Sequence, residues 1–153
     1  MMTLCSEVLK TLRGKTLVTA ESLTGGGIGA WLTSVSGASE VFKGGVISYT
    51  NEVKHSVLGV SAETLEIHGA VSVQTAEEMA IGARNLLKAD VAVSVTGLAG
   101  PGGDEYGNPV GTVCIGYCDA GESFAVKHHF EGDREAVRNQ TIRAALELVL
   151  DNQ

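Results

Sequence analysis

Three polar side chains stand where an α/β chain does chemistry. Ser22 lies in Ala20-Glu-Ser-Leu-Thr-Gly-Gly26, between a β-leaning run and an apolar helical one. A hydroxyl at a strand-to-helix turn faces free backbone N–H groups that can hold an oxyanion or a phosphate. The same position also suits plain helix capping by Ser22 and Thr24, and only a base beside the hydroxyl distinguishes the two uses. Tyr49-Thr-Asn-Glu-Val-Lys54 offers one at the end of a second strand. A partly buried lysine gives up its proton readily, and a neutral amine can take a serine proton directly or through a phenol. An edge tyrosine and an exposed helix lysine are the plain alternative. Ala20 and Thr24 flank Ser22 where a Gly-x-Ser-x-Gly elbow has glycines, so a hydrolase triad of the usual kind has no support.

Other motifs carry less. Gly25, Gly27 and Ala30 fit a loose dinucleotide pattern, but the next strand ends Ile47-Ser-Tyr-Thr50 without the acidic residue that would read a ribose. Gly14-Lys-Thr16 imitates the tail of a P-loop, yet Leu9 replaces its first glycine and a strand follows. His55, His68, His128 and His129 have no metal-ligand spacing, and adjacent His128 and His129 point to opposite faces of a strand. Cys114 and Cys118 share a strand face, which suits packing better than zinc. No metal site is expected.

The elements that must position these groups follow from periodicity and punctuation. Cys5 to Leu12 has helical spacing and stops at Gly14, and Thr16 to Thr19 reads as a strand. Ala20 to Thr24 is a turn, and Gly26 to Val35 is a helix with Ile28, Ala30, Trp31, Leu32 and Val35 as its buried set. Val41 to Tyr49 is a second strand. Asn51 caps a short helix holding Val53, Val57 and Leu58, closed by Gly59, and Ser61 opens another with Glu63 and Glu66. Val71 to Val73 is a short extended piece. Gln74 to Lys88 is amphipathic, with Ala76, Met79, Ala80, Ala83, Leu86 and Leu87 inward. Val91 to Thr96 is a strand. Gly97 to Gly111 holds six glycines and both prolines and must be loop, long enough to be functional. Thr112 to Asp119 and Ser123 to Phe130 form an antiparallel hairpin, and Asp133 caps a last helix to about Leu150. This alternation predicts one domain over residues 1–153, a three-layer α/β/α fold around a mixed, mostly parallel sheet with the hairpin late.

Composition sets the outer bounds. At 153 residues, 44% hydrophobic and 19% charged, the chain has the balance of a folded globular domain. Eleven basic against 18 acidic residues leave a net charge of −7, which argues against nucleic acid as a partner. Three cysteines without a C-x-x-C pair fit a reducing compartment. No window reaches the length of a membrane span, and Met1 to Lys15 lacks a signal peptide's basic start and apolar run, so a cytoplasmic protein is expected.

The segments Thr19-Ala-Glu-Ser-Leu-Thr-Gly-Gly26, Gly44-Gly-Val-Ile-Ser-Tyr-Thr-Asn-Glu-Val-Lys54 and Thr96-Gly-Leu-Ala-Gly-Pro-Gly-Gly103, with Gly132-Asp-Arg-Glu-Ala-Val-Arg138 near the end, resemble the CinA C-terminal domain family. The resemblance extends over essentially the whole chain, in the stand-alone form without the large N-terminal domain that many relatives carry. It implies hydrolysis of the carboxamide of nicotinamide mononucleotide to nicotinic acid mononucleotide and ammonia, in pyridine-nucleotide recycling. It places the nucleophile on Ser22, with Lys54 assisted by Tyr49 as base and backbone N–H groups near Thr24, Gly25 and Gly26 holding the oxyanion. Asn51, Thr96, Gly97, Gly100, Gly102 and Gly103 become substrate-binding positions, and Arg138 a charge partner for the nucleotide. No cofactor is implied, and a homo-oligomer is compatible with it. Two alternatives stand beside this expectation: a catalytically silent nucleotide-binding or regulatory domain, and a serine-lysine amidase acting on another small amide.

Overall fold

Short β-branched runs bounded by glycine or polar turns become five strands, and the apolar stripes between them become helices that cover both faces of one sheet. The computed structural model describes residues 1–153. In chain order it contains α1 (Met2–Thr11), β1 (Leu17–Glu21), α2 (Gly27–Thr33), a single 3₁₀ turn, and β2 (Phe42–Ile47). These are followed by α3 (Asn51–Ser56), α4 (Ala62–His68), α5 (Val73–Leu87), β3 (Val91–Gly97), β4 (Thr112–Cys118), β5 (Ser123–His129) and α6 (Arg134–Asp151). The strand order is β2-β1-β3-β4-β5. β1 pairs in parallel with β2 and β3, while β3–β4 and β4–β5 are antiparallel, so every strand except β4 runs the same way.

Side-chain alternation along the strands divides the core. Leu17, Val91, Val93, Val95, Val113, Ile115 and Tyr117 face α1, α2 and α6. Val18, Ala20, Ala92 and Cys118 face α4 and α5. The residues toward α5 are small, which lets it lie close. A Cβ on Gly116 would collide with the Ala76 carbonyl, and Ser94 Oγ donates to that same carbonyl. The parity that sends Leu17 toward α2 sends Thr19 and Glu21 there too, and this places a carboxylate beneath α2.

Several boundaries differ from the sequence expectation. The turn predicted from Ala20 begins at Ser22, because Ala20 and Glu21 stay in register with both neighbouring strands. α2 is shorter than predicted and buries only Ile28 and Leu32, leaving Ala30 and Trp31 exposed. Thr50, rather than Asn51, caps α3, its Oγ accepting from Val53 N. Residues 71–72 form a bend into α5 instead of an extended piece, and Ser72 caps that helix. Leu86 points outward at 50% exposure. Ser61 and Asp133 cap α4 and α6 as predicted.

Candidate active site

The C-terminal ends of the three parallel neighbours β2, β1 and β3 lie side by side and release the segments that begin at Ser48, Ser22 and Leu98. Parallel α/β sheets put ligands at this edge. A cleft of ≈ 310 Å³ opens there, lined by Ser22 and Leu23 from the first turn, Tyr49, Asn51 and Lys54 from the second, and Thr96, Gly97, Gly100, Gly102 and Arg134 among others. It falls at the lower end of the roughly 300–1,000 Å³ of small-molecule sites.

Lys54 is 1% exposed. Its Nζ donates to Ser22 Oγ at 3.0 Å, Ser48 O at 2.9 Å and Tyr49 O at 3.3 Å. No carboxylate lies within ion-pair distance of it. Burial without a counter-charge disfavours the ammonium and lowers its pKa from 10.5 to about 8. Two of its three partners are carbonyl oxygens, which can only accept. A neutral Lys54 therefore keeps its two N–H bonds on those carbonyls and turns its lone pair toward Ser22 Oγ, the only partner with a proton to give. That arrangement puts a hydroxyl in contact with an amine able to take its proton. Ser22 is itself 7% exposed and caps nothing, since α2 starts from Gly26 without a side-chain cap.

The turn that carries Ser22 is held by Glu21, a residue not expected at the site from the sequence. Its buried carboxylate accepts from Thr24 Oγ1 at 2.6 Å, Thr19 Oγ1 at 3.2 Å, Ile28 N at 2.8 Å and Gly29 N at 3.1 Å. The amides at the start of α2 are thereby occupied from below. Gly25 and Gly26 follow in left-handed geometry, with φ of 58° and 100°, which side-chain-bearing residues seldom adopt. The signal for Glu21 was its place in the strand alternation, on the same face as Leu17.

The other expected positions divide. Asn51, Thr96, Gly97, Gly100 and Gly102 line the cleft, although Thr96 Oγ1 is committed to Ala70 O at 2.8 Å. Thr24, Gly25, Gly26 and Gly103 do not line it. Gly25 N–H is taken by Ser22 O at 3.1 Å, so it offers no oxyanion donor, whereas the amides of Leu23, Thr24 and Gly26 have no protein acceptor. Tyr49 is 61% exposed and its hydroxyl accepts from Arg134 Nη2 at 3.5 Å, so the phenol does not bridge Lys54 and Ser22. Arg138 lies outside the cleft and donates to Leu23 O and Thr24 O. Arg134, not singled out from sequence, is the arginine on the wall, its Nη1 holding Gly100 O at 2.8 Å. The long loop is anchored to α4 through Tyr106, whose hydroxyl donates to Glu66 O at 2.7 Å.

Comparison with known proteins places this geometry in a family. A nicotinamide-nucleotide amidohydrolase, PncC, of Escherichia coli is 46% identical over 136 residues, covering 88% of this chain and 82% of that protein. A CinA-like protein of Thermotoga neapolitana is 46% identical over 133 residues, covering 87% of this chain and 32% of its own length. The chain thus spans about a third of the length of the longer relatives that it matches. The crystal structure of the competence damage-inducible protein A of Klebsiella pneumoniae superposes with a TM-score of 0.95 at 39% identity, covering 98% of this chain and 94% of the other. The profile of the CinA C-terminal domain matches residues 2–152, and the chain belongs to the CinA C-terminal domain family.

Proposed function

We propose that this chain hydrolyses the carboxamide of nicotinamide mononucleotide, releasing ammonia and nicotinic acid mononucleotide, as a step of pyridine-nucleotide recycling in the cytoplasm. The observation that carries the chemistry is the 3.0 Å contact between buried Lys54 Nζ and Ser22 Oγ, with the other Nζ directions fixed on carbonyls. The substrate comes from the likeness to the E. coli amidohydrolase and from the size and position of the cleft.

Ser22 Oγ attacks the carboxamide carbon while its proton passes to neutral Lys54. The carbonyl pair moves onto oxygen. As the tetrahedral species collapses, Lys54 returns the proton to the departing nitrogen and ammonia leaves. Water, deprotonated by the same amine, then attacks the acyl carbon; Lys54 passes that proton to the departing Ser22 Oγ, and the carboxylic acid formed loses its own proton to solvent as the carboxylate. Lys54 does this without the Tyr49 phenol, whose ring forms part of the cleft mouth. Arg134, fixed to Gly100 O, is the cation placed to meet the substrate phosphate.

Ammonia release from nicotinamide mononucleotide by wild type and Ser22→Ala tests the reading. Turnover that disappears in a folded variant supports it. A folded wild type without turnover on this nucleotide, or equal turnover in both proteins, overturns it.

A further inference from the structure

The Ser22 turn is gripped at two ends by opposite charges. Glu21 takes donors: the Thr24 hydroxyl and the first amides of α2. Arg138, on α6, takes acceptors, its Nε donating to Leu23 O at 2.9 Å and its Nη2 to Thr24 O at 3.1 Å. Between them, Gly25 N–H closes residues 22–25 onto Ser22 O. Three amides of the segment, those of Leu23, Thr24 and Gly26, remain without an acceptor, and the first two are successive and directly follow Ser22.

Their direction follows from the carbonyls. These peptides are trans, so each N–H points away from the C=O of its own unit. With Leu23 O drawn onto Arg138, Thr24 N–H is aimed the opposite way. Arg138 touches none of the cleft; Ser22 and Leu23 line it, and Thr24, joined to Leu23 by the peptide that carries its N–H, lies just outside that lining. Thr24 is 1% exposed, and an unpaired amide on a buried residue is rare unless something is meant to occupy it. Leu23 N–H belongs to the residue after the nucleophile, a common place for an oxyanion donor in serine hydrolases.

We propose that Arg138 is a positioning residue for amide hydrolysis: by holding Leu23 O it fixes the Leu23–Thr24 peptide, so that the Thr24 amide joins the neighbouring Leu23 amide in receiving the oxyanion formed when Ser22 attacks. This rests on the reading of the chain as a serine amidohydrolase. It separates two arginines that lie one helical turn apart on α6: Arg134 meets the substrate at the mouth, and Arg138 shapes the turn from outside the cleft. A lysine in its place has one nitrogen, which cannot reproduce a planar fork onto two carbonyls.

The test compares wild type, Arg138→Lys, Arg138→Gln and Arg134→Ala. Steady-state kinetics are measured on nicotinamide mononucleotide and on nicotinamide riboside, together with the rate at which p-nitrophenyl acetate acylates Ser22. Circular dichroism melts select the variants that fold, and the lysine variant decides the matter if the glutamine one does not. For Arg138→Lys the expected result is a kcat loss of at least ~10-fold, toward the ~10²–10³-fold cost of a missing oxyanion donor, with KM little changed. Acylation slows in parallel, and the preference for the phosphorylated substrate is retained. A raised KM with kcat kept, a lost phosphate preference, or unchanged kinetics would each overturn the proposal. If wild type turns over neither the nucleotide nor the riboside, the substrate reading falls, yet the acylation rates still decide the role of Arg138. Slower acylation in the folded variant supports it, and equal acylation, or none in wild type, overturns it.

Discussion

Lys54 is held on three sides by oxygens and has no carboxylate beside it, and two pH-dependent consequences follow. In the proposed mechanism the free enzyme acts only with the amine neutral, so kcat/KM should rise with pH and level off above about 8. Lys54→Met should remove at least ~10²-fold of kcat while leaving the melting transition cooperative, because general-base contributions are of order 10²–10⁴. Tyr49→Phe should keep kcat within about threefold, since the Tyr49 backbone carbonyl, and not its phenol, contacts the amine. A Tyr49→Phe enzyme as inactive as Lys54→Met would restore the phenol as a proton relay. The same lysine links stability to pH. Its folded pKa lies below its unfolded one, so the unfolded chain binds more protons between about 8 and 10.5 and stability rises across that window. Urea titrations of wild type against Lys54→Met should show a difference that grows in favour of wild type across it, by up to roughly 3 kcal/mol. A pH-independent difference would contradict the burial argument.

At the scale of elements, the β1-turn-α2 unit depends on one carboxylate. Glu21 offers two acceptor oxygens to four donors, two of which are backbone amides that begin α2. Glu21→Gln replaces one oxygen by an NH₂ group, so a buried donor faces a donor at either Ile28 or Gly29. The expected cost is about 2–3 kcal/mol, read as a lower urea midpoint, together with reduced turnover because the Ser22 turn loosens. Full stability in the glutamine variant would show that the carboxylate does not organise the turn. The long glycine-rich loop has a similar dependence on α4. Its single aromatic, Tyr106, packs over Gly69 and donates to carbonyls of Leu65 and Glu66, so a segment without regular structure still presents a fixed cleft wall.

In the whole molecule, α6 joins stability to chemistry. Val137, Ile142, Ala145, Leu146 and Val149 bury one stripe against α1 and the sheet, and the first turns of the same helix carry Arg134 and Arg138. Removing residues 131–153 should therefore abolish the cooperative thermal transition and not merely lower activity. A truncated chain that still melts cooperatively would mean that the other two helices of this layer suffice. The net charge of −7 opposes an anionic substrate over long range, so the local arginine must outweigh it within the cleft.

The sequence by itself determined the alternation of strands and helices, the mixed sheet with its late hairpin and the caps at Ser61 and Asp133, and it singled out Ser22 and Lys54 as candidates for nucleophile and base. These are local matters: periodicity, φ-permissive glycines, and hydroxyls at element boundaries act over a few residues. It also brought Ser22 and Lys54 into consideration together, because strand ends in a parallel sheet converge on one edge. The division of labour among the remaining groups belonged to tertiary structure. Arg138 and Arg134 are one turn apart and alike in sequence, yet the packing of α6 against the Ser22 turn sends one to backbone carbonyls and the other to the cleft wall. Glu21 looked like any acidic residue until strand parity put it under α2. Tyr49 looked like a relay until its phenol turned to solvent and its carbonyl inward. Each outcome depends on which face of a distant element a side chain meets, and spacing along the chain does not encode that.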